Sequence, residues 1–333
     1  MKRIISILLC AVICASLLVG CNQGGTPAET TEPAPTQTPE EQEILKILIV
    51  GNSHSGDTFW LLKEVFTDQY EGDVALGYLY YSGCSVTQHV QFGKSRDTVY
   101  SYHYNSDGQW QSYDSVDLQT ALTNQPWDYV VIQPDGDDRL LENWNEAKRR
   151  ELESIIAEYV PQPYKLICHT TWANPDDDMF YAEDWPYQKP PKGYKDNLIR
   201  RYGFDAEVQF EEVITDGLSY LVTDDAYEKK ICTGTAIMHA LWRQNRPIDE
   251  IHRDYTHLTD FGRLIASYTF FAQFTGQKIT EVGIDTVPTS LRHKLFRQFG
   301  DLEITEEMKQ VIIEAANYAL DHPWEVMKKN AES

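Results

Sequence analysis

Apolar positions along this chain alternate between two rhythms. Ile44 to Val50 is nearly continuous in apolar and β-branched residues, broken only by Lys46, and it stops at Gly51-Asn52. An apolar-periodic stretch follows from Phe59 to Phe66. Together these predict a buried strand, a tight turn and a helix. The grammar then repeats. Val74 to Tyr81 reads as a second strand ending at Ser82-Gly83, and Trp127 to Gln133 as a third. A helix is predicted from about Glu142 to Tyr159, with Trp144, Leu152, Ile155 and Tyr159 on one face. Tyr164 to Thr170 is a fourth strand, and Lys230 to Cys232 opens a short fifth one. Helical spacing dominates Leu198 to Leu221 and Leu258 to Phe274. In the last helix Met308, Val311, Ile312 and Ala315 follow the i, i+3, i+4, i+7 rule.

Strands alternating with helices imply an α/β fold: a three-layer α/β/α sandwich around a mainly parallel, five-stranded sheet. In such sheets the site lies beyond the carboxyl ends of the strands, so the segments just after each strand carry the functional candidates. Two stretches interrupt the pattern. Val99 to Tyr113 alternates aromatic and polar residues around Asn105-Ser106-Asp107-Gly108, which predicts an inserted hairpin. Asn174 to Asn197 is rich in Asp, Pro and aromatics and directly follows the fourth strand; a loop of that length is expected to be a lid or binding loop.

The amino terminus follows a different logic. Lys2 and Arg3 precede an apolar run from Ile4 to Val19, the pattern of a secretory signal and short for a spanning helix. Leu18-Val19-Gly20-Cys21 resembles the lipobox of bacterial lipoproteins, which implies lipidation of Cys21 after cleavage. Residues 1–20 are thus expected to be a signal, and residues 21–42, dominated by Thr, Pro, Glu and Gln, a disordered tether. The folded domain is expected over residues 43–333. This places the mature chain on the outer face of the cytoplasmic membrane or the cell surface. Cys10 and Cys14 leave with the signal, so only Cys84, Cys168 and Cys232 remain besides the lipidated one. That odd number, without C-x-x-C spacing, argues against a disulfide framework or a cysteine zinc site.

Charge narrows the partners. The chain of 333 residues carries 29 Lys+Arg against 51 Asp+Glu, a formal net charge of −22. Without Lys2 and Arg3 the basic residues fall to 27 and the charge to −24. Such a surface repels a phosphate backbone, so nucleic acid is excluded as a partner, and membrane attachment would rest on lipid alone. The 42% hydrophobic content is that of a globular protein. Length alone would allow two domains, but one α/β domain with insertions accounts for it.

The chemistry-bearing residues lie after the first strand and near the carboxyl end. Gly51-Asn52-Ser53-His54-Ser55 puts a serine in a tight turn at a helix start, where its hydroxyl and local amides face the same space. That suits a nucleophile with an oxyanion site; simple helix capping by Ser53 or Ser55 is the alternative. Downstream, Asp254-Tyr255-Thr256-His257 places a histidine just before a helix with an acid three residues earlier, able to orient the ring. His252 competes but lacks such an acid.

Together these motifs resemble the SGNH (GDSL-type) hydrolase superfamily, from about Ile44 to Gly276. Gly51-Asn52-Ser53 stands where that family usually has Gly-Asp-Ser. The resemblance implies that Ser53 is the nucleophile, His257 the base and Asp254 its orienting acid. It implies oxyanion donors at Ser53 and at Gly83, in Gly83-Cys84-Ser85 after the second strand. One block departs: the family's Gly-x-Asn is here Gln133-Pro134-Asp135-Gly136. Gln133 carries an equivalent amide and is the expected substitute donor. His54, His169 and Trp172 are candidate substrate contacts, with packing as their alternative role.

These readings point to an extracytoplasmic serine esterase acting on small acyl esters, such as acetyl groups on a carbohydrate, with no metal or organic cofactor implied. Two other readings compete. One is a lipoprotein that binds glycan or peptide on the same fold without turnover. The other is a metal-dependent phosphoesterase using Asp135, Asp137, His169 and His257, disfavoured because no H-x-D or D-x-H cluster accompanies the strands. Oligomeric state is not readable from the sequence.

Overall fold

A computed structural model describes residues 44–133, 146–161, 163–172, 224–288 and 301–325. They belong to one compact unit, Gln42–Ser333. The expected signal, the tether with Cys21, the Asn174–Asn197 loop, the Leu198–Leu221 helix, Asp135 and Asp137 lie outside the described residues.

The first strand, β1 (Leu45–Gly51), pairs in parallel with β2 (Val74–Tyr80) on one side and with β5 (Tyr129–Ile132) on the other. β5 continues in parallel to β6 (Lys165–Thr170) and β7 (Lys229–Cys232). These five strands are the parallel sheet expected from the sequence. The inserted hairpin, β3 (Tyr100–Asn105) and β4 (Gln111–Val116), joins the same sheet antiparallel to β2, giving the seven-strand order β4-β3-β2-β1-β5-β6-β7. The chain runs outward from β1 to β2 and later returns to β1's other side as β5. The carboxyl end of β1 is therefore the point where strand order reverses, the customary place for a site in such sheets.

Alternation along β1 divides the core. Ile47 and Ile49 face the layer of α1 (Ser53–Gln69), α5 (Gly234–Trp242), α7 (Asp260–Thr275) and α8 (Glu306–Asp321). Leu48 and Val50 face α2 (Val86–Ser95), α3 (Leu118–Thr123) and α4 (Glu146–Tyr159). Each of these four side chains is at most 1% exposed. Burying such a side chain contributes roughly 1.5–3 kcal/mol, which explains why both faces of the strand read as apolar. The result is the expected α/β/α sandwich. A short helix, α6 (Ile248–Ile251), leads into the Asp254–His257 turn, and a two-stranded piece, β8 (Thr286–Val287) with β9 (Leu302–Glu303), precedes α8.

Caps set the helix starts. Ser85 and Gln88 form a reciprocal capping box at α2, Asp117 accepts from Thr120 N–H at α3, and Thr259 accepts from Gly262 N–H at α7. Thr233-Gly234-Thr235, just after β7, opens α5: Thr233 is its N-cap and Gly234 its first residue. The run from Ala236 to Ala240 is buried all round, so it lacks the amphipathic period that marks a surface helix. Among the described residues no helix is long and apolar enough to cross a membrane. Cys84, Cys168 and Cys232 are all free and buried, so no disulfide joins them. Burial pushes the Cys168 thiol up to about 12, so it is not a thiolate at neutral pH.

Candidate active site

The turn after β1 is built around Gly51 and Asn52. A side chain at Gly51 would place its Cβ 2.2 Å from Ser55 Oγ and 2.9 Å from Gln133 Oε1, so only glycine lets strand, helix and Gln133 meet here. Asn52 is wholly buried and caps α1. Its Oδ1 accepts the His54 N–H at 3.0 Å, which fixes the other end of the amide as the donor. That Nδ2 donates to the Cys84 carbonyl at 3.3 Å and ties the β1 turn to the loop after β2. Tyr78 adds a hydrogen bond to the Asn52 carbonyl. Ser53 is thereby set at the first position of α1, partly exposed, at the sheet's reversal point.

The second half of the site arrives with the turn before α7. His257 Nε2 lies 2.9 Å from Ser53 Oγ. Its Nδ1 lies 3.0 Å from both Asp254 carboxylate oxygens. Asp254 Oδ1 also accepts the backbone N–H groups of Thr256 at 2.8 Å and His257 at 2.7 Å, so the acid holds both the ring and the backbone that carries it. Asp254 is 5% exposed while the His257 side chain is 22% exposed, leaving the imidazole reachable from solvent above a buried acid. Burial opposes ionisation of Asp254. The hydrogen bond and charge of His257, the nearby Arg253 guanidinium and the Thr256 N–H outweigh it and hold the carboxyl well below the usual carboxylate range. Asp254 is therefore an anion wherever the fold persists at ordinary pH, as an acid that stabilises an imidazolium must be.

Gly83 adopts φ +58°, a left-handed conformation that favours glycine, in an exposed turn adjoining the Cys84 carbonyl held by Asn52. Gln133 departs from expectation. It does reach the nucleophile's turn, but with its oxygen: Oε1 accepts Asn52 N–H at 3.1 Å and Ser55 Oγ–H at 2.9 Å. Two donors aimed at that point require an acceptor, so the amide end meeting the turn is not the donor that the sequence led us to expect.

The other candidates separate. His54 is 6% exposed and its ring stands 5.6 Å from that of His257 and 5.5 Å from Trp172, inside the site's wall. Trp172 is buried, and its Nε1 donates to the Thr256 carbonyl at 2.8 Å; it grips the histidine's turn instead of facing substrate. His169 is wholly buried, with Nε2 3.1 Å from Thr233 Oγ1 and its ring edge-on to Phe270. Full burial makes it a packing residue and removes it from the substrate contacts. His252, the competing histidine, is also wholly buried, and neither ring nitrogen has a hydrogen-bond partner among the described residues. Among the same residues no group of three or more His, Cys, Asp or Glu side chains is arranged to hold a metal.

Asp57 and Arg263 escaped the sequence reading. Asp57 lies four residues after Ser53 on α1 and is wholly buried. Its Oδ2 accepts the Leu258 N–H at 2.9 Å and its Oδ1 accepts Arg263 Nε at 2.9 Å. Arg263 also donates to Asp260 at 2.8 Å. No local signal singled them out, since α1 also carries Lys63, Glu64 and Asp68 and α7 also carries Asp260.

Comparison with known proteins agrees with this architecture. The family model described as "Domain of unknown function (DUF4886)" matches residues 46–289, a span that includes every residue of the site. The chain resembles the crystal structure of a DUF4886 family protein from Bacteroides uniformis, with 23% identity, a TM-score of 0.65, and 86% of this chain and 98% of that one covered. A protein from Slackia heliotrinireducens, provisionally described as an SGNH hydrolase, aligns with 15% identity and a TM-score of 0.40 over 70% of this chain and all of the other. No curated protein matches the chain.

Proposed function

This chain belongs to the DUF4886 family, and from its site we propose that it is a serine esterase of the SGNH type. The observation that carries the reading is the continuous relay from Ser53 Oγ through His257 to Asp254, at 2.9 and 3.0 Å. Capping alone would explain a serine at a helix start. It would not explain a partly exposed imidazole on its hydroxyl backed by a buried, ionised acid.

The chemistry follows from those contacts. His257 Nε2 takes the Ser53 proton as Oγ attacks an ester carbonyl. Asp254 stabilises the imidazolium and keeps Nδ1 protonated, leaving Nε2 free to act as base. The N–H groups of Ser53 and Gly83 receive the tetrahedral oxyanion, with Gln133 bracing the turn that presents Ser53. Collapse expels the alcohol with the proton from His257, and water, activated by the same nitrogen, hydrolyses the acyl-enzyme. No step calls on a metal or organic cofactor.

The substrate class we propose is a small acyl ester, such as acetyl on a carbohydrate. The chain would act outside the cytoplasm, held at the membrane by lipid on Cys21. Without Lys2 and Arg3 its charge of −24 favours neutral or cationic substrates over polyanions. Binding of glycan or peptide without turnover is the competing function, favoured by the missing Asn: Gln133-Pro134-Asp135-Gly136 stands where the SGNH pattern has Gly-x-Asn.

A panel of p-nitrophenyl esters and acetylated oligosaccharides, assayed against the protein and Ser53→Ala, tests the reading. Release of alcohol or acetate that Ser53→Ala abolishes supports it. Saturable glycan binding with no Ser53-dependent release on any substrate would replace it with the binding function.

A further inference from the structure

Ser53 and His257 stand 204 positions apart in the sequence, and something must hold the two halves of the relay in register. Asp254 orients the ring within its own turn, but it lies on the histidine's side of the gap. A carboxylate on the serine's side spans it. Asp57 stands one helical turn beyond Ser53, so both project from the same stretch of α1. Its Oδ2 accepts the N–H of Leu258, the residue next to His257.

We infer that Asp57 is a positioning residue for the reaction, a clamp that fixes His257 Nε2 against Ser53 Oγ by holding the Leu258 amide. The inference rests on the esterase reading. The clamp closes a ring: Ser53 to Asp57 along the helix, Asp57 to Leu258 by hydrogen bond, Leu258 to His257 along the chain, and His257 back to Ser53. Arg263 sets the clamp's angle, since its Nε holds Oδ1 at 2.9 Å and turns Oδ2 toward Leu258. Arg253 supports the same turn from outside, donating Nε to the Leu258 carbonyl at 3.0 Å and its backbone N–H to the His257 carbonyl at 3.0 Å. Asp57 is wholly buried, which makes its hydrogen bonds stiff and shields them from water. A shift of about 1 Å at the base is enough to cost about 100-fold in rate, so a clamp on the neighbouring amide acts directly on turnover.

Asp57→Asn separates the clamp from simple packing. The variant keeps the side chain's shape, and Arg263 retains Asp260 as a partner. Arg263 needs the one remaining oxygen, so the new NH₂ faces the Leu258 N–H, donor against donor. Steady-state kinetics with p-nitrophenyl acetate on the full chain read the effect. In Asp57→Asn, kcat is expected to fall about 100-fold with KM within about twofold. Added to His257→Ala, the same change is expected to leave the residual rate unaltered, because a residue acting through His257 has nothing left to position. An equal fall in both backgrounds, or a KM rise at constant kcat, overturns the clamp. Should Asp57→Asn lose its fold, Asp57→Asn/Arg263→Gln replaces the ion pair with two amides and is judged by the same two criteria. Turnover that Ser53→Ala abolishes but Asp57→Asn leaves intact overturns the clamp alone. A wild-type chain with no Ser53-dependent turnover overturns the esterase reading and the clamp with it.

Discussion

The side-chain oxygen of Gln133 accepts the backbone N–H of Asn52 at 3.1 Å, so the residue just past β5 holds the residue just past β1 that leads into Ser53 at the start of α1. The two follow neighbouring strands of the sheet, and Gln133 is itself fixed by its N–H to the Val50 carbonyl at 3.1 Å. Its contribution is thus to the shape of the turn. Gln133→Met preserves volume but leaves a buried N–H without its acceptor, which costs about 1–3 kcal/mol. Thermal denaturation and kinetics should therefore fall together. A loss of roughly 10²–10³ in kcat with an unchanged melting temperature would instead make Gln133 an oxyanion donor.

Asn52 makes a second, sharper test. The SGNH resemblance suggests that aspartate should serve at this position, yet here the donor end of the amide binds the Cys84 carbonyl at 3.3 Å. Asn52→Asp sets a carboxylate oxygen against that carbonyl in a wholly buried place. We expect a stability loss of about 1–3 kcal/mol by urea denaturation and a lower kcat as the Gly83 loop shifts. Unchanged stability and turnover would show that the loop is held by other contacts.

Trp172 gives a related outcome at the histidine's turn. Trp172→Phe keeps an aromatic ring beside His54 but removes the donor to the Thr256 carbonyl. A fall in kcat with little change in KM is expected from steady-state kinetics, since the turn loosens without altering substrate contacts. A selective rise in KM would return Trp172 to the substrate-binding role the sequence suggested.

Acid should weaken the fold before it protonates the catalytic acid. Burial pushes His89 down to about 3 and His252 down to about 4. At His252 the Asp254 and Asp57 charges pull upward and His257 adds to the depression. In the unfolded chain each ring returns to about 6.5. Between that value and the folded one the unfolded chain binds protons that the native chain does not, so stability falls as pH is lowered. Each histidine adds a slope of up to about 1.4 kcal/mol per pH unit over that window. Asp254 works lower: its contribution is present above the usual carboxylate range and is lost as pH falls from there toward its depressed native value. Urea midpoints measured from about pH 7 to about pH 4.5 should decline throughout. A flat profile above about pH 5 would mean that the two histidines are not held neutral.

The sequence carried the parallel strands and the large helices because burying both faces of β1, β5 and β6 leaves unbroken apolar runs. Ser53, Asp254 and His257 were legible for a different reason: each sits where a strand ends or a helix begins, and the spacing of the latter two is local. α2 and α3 were missed although Ser85-x-x-Gln88 and Asp117-x-x-Thr120 mark their starts, because both are short and weakly apolar. α5 was missed for the opposite reason, its burial all round having erased the period. Asp57 and Arg263 were invisible as a pair because 206 residues separate partners that only the folded α1 and α7 bring together. The direction of the Gln133 amide could not be read at all, since it depends on which donors the neighbouring turn presents.

The account's central claim is that the Ser53 hydroxyl is activated by His257 and Asp254. Labelling of the full chain with a fluorophosphonate probe, followed by mass spectrometric mapping of the adduct, measures that activation directly. The account predicts a single phosphonylated residue, Ser53, with labelling lost in Ser53→Ala and His257→Ala and strongly slowed in Asp254→Ala. A folded protein left unlabelled, or labelling that persists without His257, would contradict it.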